Sequence, residues 1–146
     1  MIAAGVVEDL LHARHADPFA VLGLHADADG KLWHRALLPG ASAVALIDAR
    51  TGKRAAEHVL RHPDGFFEAA VARRKNRFDY RLATTWAHGE AGVYADAYSY
   101  GPLLDDAEPH VQREATRAIA TLGVDSAYDT LIRALERGSE QTRTSI

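Results

Sequence analysis

No cysteine occurs in the 146 residues. That excludes disulfide frameworks, thiolate zinc sites and cysteine nucleophiles together, and it fits a reducing, cytoplasmic setting. Excess positive charge is also missing, since 17 Lys and Arg face 20 Asp and Glu for a net charge of −3. A chain of that sign has no overall field to draw it onto a phosphate polymer, so nucleic acid is not an expected partner. Long apolar runs are lacking as well. The opening "MIAAGVVEDLLHARH" has no positive n-region and is broken by Glu8 and Asp9, unlike a secretory signal, and nothing approaches a membrane span. What remains is a chain of ordinary globular composition, long enough for one domain and a small appendage.

Val6, Val7, Leu10 and Leu11 recur at helical spacing, which predicts a short amphipathic helix near residues 3 to 14 within an N-terminal segment 1–15. Asp17-Pro18 stops it. From there the pattern is β. Asp29-Gly30, Pro39-Gly40, Thr51-Gly52-Lys53 and Pro63-Asp64-Gly65 read as turns between short runs such as "KLWHRALL", "AVALIDA" and "FFEAAVA". "RAAEHVLRH" fits either period and is read as one strand because it is short. In "RFDYRLATTW", Phe78, Tyr80, Leu82, Thr84 and Trp86 alternate with Asp79, Arg81, Ala83 and Thr85, the mark of a half-buried antiparallel strand. Such spacing predicts a mainly β protein: an antiparallel, immunoglobulin-like β-sandwich of six or seven strands spanning 17–101. Beyond Gly101-Pro102 the period changes. Val111, Ala115, Ala118, Ile119 and Leu122, then Ala127, Leu131, Ile132 and Leu135, predict a helical hairpin over 105–138, followed by a polar tail at 139–146.

Four strings occur in this order: "HADPFAVLGLH", "RALLPGA", "HPDGFFEAAVARRKNRFDYRL" and "YSYGPLL". Together they resemble the N-terminal domain of bacterial 1,4-α-glucan (glycogen) branching enzymes over roughly residues 14 to 104. The resemblance implies a β-sandwich module akin to carbohydrate-binding modules, placed ahead of a catalytic barrel that this chain does not contain. It implies weak contact with α-glucan, glycogen or maltooligosaccharide, and no turnover by this segment itself. One departure is that the family's Asp-Pro-Tyr stands here as Asp96-Ala97-Tyr98, with Tyr100 in place of Phe. The helical pair resembles a single HEAT-type repeat.

Several motifs have plainer readings. Asp105, Asp106 and Glu108 are the densest acidic group, but they precede a helix, whose positive end favours carboxylates. "HADADG" lacks a calcium loop's first and last ligands and reads as a hairpin turn. His58 and His62 lie on a strand-like segment with no third ligand in sight. No metal or cofactor is expected. The basic run Arg73, Arg74, Lys75 and Arg77 is acceptable as a phosphate site, as sugar-hydroxyl donors or as a solvated turn, and the turn is favoured.

Sugar recognition needs aromatic rings open to the C–H face of a pyranose, with polar handles beside them. Phe78 and Tyr80 read as core. Trp33, Trp86, Tyr94, Tyr98 and Tyr100 are less committed; Trp33, Trp86, Tyr98 and Tyr100 are the glucan-binding candidates. Trp33 leads because it alternates with Leu32 and Ala36, and for it packing remains as good an account as ligand contact. The alternative reading is a protein-interaction module, a homo-oligomer formed through Val111, Ile119, Leu131 and Leu135 on the helical pair, without sugar binding.

Overall fold

A computed structural model describes residues 1–100 and 109–121. The helix α1 runs Ala4–Leu11, shorter than the predicted span because the chain turns away at Ala13, whose φ is 54°. Asp17 then caps a single 3-10 turn, Pro18–Ala20, through its side chain and the Phe19 N–H. The short apolar segment after Asp17-Pro18 is therefore a tight turn that becomes a strand only at Gly23.

Eight strands follow among the described residues: β1 Gly23–Ala26, β2 Leu32–Leu37, β3 Ala41–Asp48, β4 Arg54–Glu57, β5 Val59–His62, β6 Phe66–Val71, β7 Tyr80–Trp86 and β8 Ala91–Tyr94. They form two four-stranded sheets, ordered β1-β2-β6-β5 and β4-β3-β7-β8, with every pairing antiparallel. In immunoglobulin lettering these orders are A-B-E-D and C′-C-F-G, so the expected fold class holds. The predicted single strand over residues 54–62 is in fact two. β4 belongs to one sheet and β5 to the other, and His58 is the crossover between them.

Alternation along β2 and β7 places Leu32, His34 and Ala36, and Tyr80, Leu82 and Thr84, in the interior, as a period of two requires. Between the sheets they meet Leu24, Val44, Leu46, Phe67 and Val71. Phe78 lies just before β7 and is only partly buried. A second core forms elsewhere: Val7 and Leu10 of α1, Phe19, Leu22, Phe66, Ala97 and Tyr98 pack with Ala115 and Ile119 of α2, Pro109–Thr121. Phe66 sits next to Phe67 on β6, so the two rings point to opposite faces of one strand and serve the two cores. The second half of the predicted hairpin, with Leu131 and Leu135, and the acidic group Asp105, Asp106 and Glu108 lie outside the described residues.

The basic run folds as the turn that the charge pattern favoured. Arg73 takes a left-handed φ of 63°, Arg74 Nη2 donates to Asp48 Oδ2 at 2.6 Å and lies 4.0 Å over the Phe78 ring, and Arg77 donates to the Leu24 carbonyl. The Arg74 guanidinium holds the Asp48 carboxyl below the usual carboxylate range. "HADADG" is likewise a turn: Asp27 Oδ1 accepts from the Asp29 and Lys31 N–H groups at 3.0 and 2.9 Å.

Candidate functional site

Where β8 returns along β7, the edge of the sandwich opens into a cleft of about 240 Å³ between the sheets. Its floor is aliphatic, from Ala36, Leu38 and Leu82, and Trp86, Tyr94 and Tyr98 supply its aromatic walls. The Trp86 and Tyr94 rings meet edge to face, with centroids 6.3 Å apart at 68°, and Trp86 Nε1 donates to the Tyr94 hydroxyl at 3.4 Å. Tyr94 is 39% exposed. Its phenol folds back over its own strand at Gly92, where an added Cβ would come within 2.7 Å of the hydroxyl. Only a residue without a side chain leaves room for that ring.

The far wall is the strip Ala95–Tyr98. It is held against β1 by close backbone approach, since a Cβ on Gly23, at φ 91°, would lie 2.9 Å from the Tyr98 carbonyl oxygen. A larger and more polar cleft, about 510 Å³, opens on the other side of the same strip. Arg77, Asp79, Arg81, Ser99 and Tyr100 line it, and Ala95 and Asp96 are common to both clefts.

Asp96 anchors the strip from within. Its Oδ2 accepts from the Tyr80 hydroxyl at 2.6 Å and lies 3.1 Å from His34 Nε2, while Oδ1 accepts from the Tyr98 N–H at 3.1 Å. His34 is fully buried, and its Nδ1 is 2.7 Å from His58 Nε2. Burial, and then the neighbouring His34, push the His58 imidazole down to about 3. Burial, and then the Asp96 charge, raise the Tyr80 phenol far above its usual range. Both therefore stay neutral at neutral pH.

The predicted site residues separate into groups. Trp86 and Tyr98 come together at the aromatic cleft, though Tyr98 is buried and packs on Phe19 with centroids 4.7 Å apart. Tyr100 lines the polar cleft. Trp33 points outward from β2 as expected, away from both clefts; its Nε1 donates to Asp27 Oδ2 at 3.0 Å and Lys31 Nζ sits 4.7 Å from its ring. Among the interaction candidates, Val111 is half-buried, while Ile119 is completely buried among this chain's own α1, Phe19 and Phe66.

Sequence reasoning passed over Asp96, His34 and His58 as a set. They stand 24 and 62 residues apart along the chain, beyond the reach of any spacing rule. One signal was present: His34 occupies an inward position between Leu32 and Ala36, and a polar residue on an apolar face needs a partner.

Asp96, the carboxylate that lines the aromatic cleft, accepts from the Tyr80 hydroxyl and the Tyr98 N–H. No helix among the described residues is long and apolar enough to cross a membrane. The family described as "alpha-1,4-glucan branching enzyme GlgB, N-terminal domain" matches residues 3–98, well over half the chain, and the protein belongs to that family.

Proposed function

We propose that this module contacts α-glucan weakly through the Trp86–Tyr94 cleft and presents chains to a branching-enzyme catalytic domain in cytoplasmic glycogen synthesis. The observation that carries the reading is the exposed Tyr94 ring, set beside Trp86 over an aliphatic floor. A pyranose offers an apolar C–H face to such a ring and hydroxyls to polar groups at the rim. At about 240 Å³ the cleft is below the roughly 300 Å³ at which pockets for drug-sized ligands begin. It takes a short segment of a glucan passing across the surface, which accords with weak, repeated contact rather than enclosure.

The alternative, self-association through the C-terminal helices, is the lesser reading because the buried face of α2, Ala115 and Ile119, already packs on this chain's own core. The two are separated by titrating the chain with maltoheptaose and with glycogen, following tryptophan fluorescence, and measuring its mass in solution. The glucan reading expects saturable binding that falls at least fivefold in Tyr94→Ala and Trp86→Ala and is unchanged in Trp33→Ala. Absence of binding in the parent, or equal loss in all three variants, would reject it.

A further inference from the structure

Immunoglobulin domains of antibodies tie strands B and F, one from each sheet, with a disulfide. This chain has no cysteine, yet its B and F strands, β2 and β7, are also joined through the core. His34 of β2 and Tyr80 of β7 both reach Asp96 Oδ2, and their rings meet edge to face with centroids 4.8 Å apart. His58, at the crossover between the sheets, extends the row to the Val44 carbonyl of β3, 3.2 Å from its Nδ1.

The Val44 carbonyl can only accept, so His58 carries its hydrogen on Nδ1. His58 is neutral, which leaves its Nε2 a bare acceptor, so the hydrogen in the 2.7 Å contact belongs to His34 Nδ1. His34 Nε2 then faces Asp96 Oδ2 at 3.1 Å. If both imidazoles were neutral, that contact would set lone pair against lone pair. The other tautomer of His34 only moves the same conflict to the His58 end. One further proton removes it. Tyr80 O–H and the Tyr98 N–H already donate to Asp96, which favours the charged carboxylate, so the proton belongs on His34.

We propose that His58, His34, Asp96 and Tyr80 form one hydrogen-bonded row closed by a single proton on His34 Nε2, a non-covalent tie between the two sheets that also fixes the Asp96 strip between the clefts. His34 in this state donates at both nitrogens. The groups facing it are His58 with the Val44 carbonyl behind, the Asp96 carboxylate, and Tyr80 from β7; nearby lie the His25 imidazole on β1, which burial shifts down, and the Arg77 guanidinium. The Arg35–Glu68 ion pair stands on the outer face of the same sheet, as the alternation along β2 requires. The proton count follows from these contacts and does not rest on the glucan reading.

Two measurements test it. In the 15N-labelled chain, long-range imidazole spectra at about pH 7.5, where exposed histidines are neutral, should show both His34 nitrogens protonated and His58 protonated at Nδ1 alone. A His34 with one bare nitrogen overturns the proposal. Unfolding by urea supplies the second. The fold keeps a proton that the unfolded chain releases, so folding should weaken by up to about tenfold per pH unit above neutrality. In Asp96→Asn the side-chain amide supplies the missing hydrogen, His34 should show a bare Nε2, and the alkaline loss should vanish. A parent as flat as Asp96→Asn from neutral to alkaline pH overturns the tie. His58→Gln can likewise supply an amide hydrogen, to His34 Nδ1, so that a neutral His34 donates Nε2–H to Asp96; its alkaline loss should shrink too, and a loss kept in full would overturn the count if Asp96→Asn does not fold.

Discussion

The two cores of this small protein are built on different rules. The outer one, between the helices and the β1-β2-β6-β5 sheet, is assembled from Val7, Leu10, Phe19, Phe66, Ala115 and Ile119 with the Tyr98 ring. The inner one lies between the sheets and encloses His34, Thr84 and Asp96 among its apolar residues. Apolar burial is non-directional and indifferent to protonation. A buried polar row instead stabilises one geometry strongly and becomes costly as soon as one member loses its partner. The outer core contributes adhesion, while the inner row sets how the sheets and the Asp96 strip align.

The sharpest way to break the contrast is Asp96→Ala. It leaves the Tyr80 hydroxyl, the Tyr98 N–H and His34 without their acceptor in the interior. Removing one partner from a buried charged pair typically costs about 3–5 kcal/mol, so the urea midpoint should fall sharply. A loss below about 1 kcal/mol, the range of an exposed pair, would mean that water reaches the row.

Ile119→Ala attacks the other core. The side chain is fully buried, and truncating a buried Ile costs about 2–5 kcal/mol. Here the loss should be the same at every pH between about 5 and 8, the range in which histidine charge changes, because the side chains around Ile119 do not titrate there. A loss that varied with pH would show that the two cores are coupled.

The acid side of the inner row follows from His58. Burial, and then the neighbouring His34, bring it from the ordinary imidazole value of 6.5 to about 3, so between these limits the unfolded chain binds a proton that the fold does not. The His58 contribution to stability is therefore full above 6.5 and declines as pH falls toward 3, by up to about 1.4 kcal/mol per unit. His58→Gln should flatten that decline. An unchanged acid limb would assign it to other groups.

The outer core was largely legible in the sequence, because Val7 and Leu10, and Ala115 and Ile119, are local helical periodicities. The inner apolar face was legible too, in the alternation of Tyr80, Leu82 and Thr84. The split at His58 was not, since a strand that changes sheets keeps its period and shows no break in hydropathy. Nor was the proton-bearing row, which depends on contacts across 24 and 62 residues fixed only by topology. Trp33 shows a related limit. Alternation placed it on the outside correctly, but alternation carries no information about Asp27 and Lys31 closing around it. Tyr94 gained its position from Gly92, a feature of close approach rather than of pattern.

The smallest effect concerns a surface that belongs to neither core. Val93 on the edge strand β8 is 59% exposed and stands next to Tyr94 at the mouth of the aromatic cleft. With solvent around it, Val93→Lys should change stability by no more than about 0.5 kcal/mol. It also adds a charge that an edge-to-edge contact between copies would not tolerate. If the chain works alone and β8 merely borders a glucan path, neither the sedimentation coefficient nor the urea midpoint should respond to protein concentration, and Val93→Lys should leave both unchanged. A concentration-dependent midpoint in the parent that disappears in Val93→Lys would show that β8 pairs with a second copy. The aromatic cleft would then open onto an interface, and the proposed glucan contact would have to be sought on the polar side of the Asp96 strip.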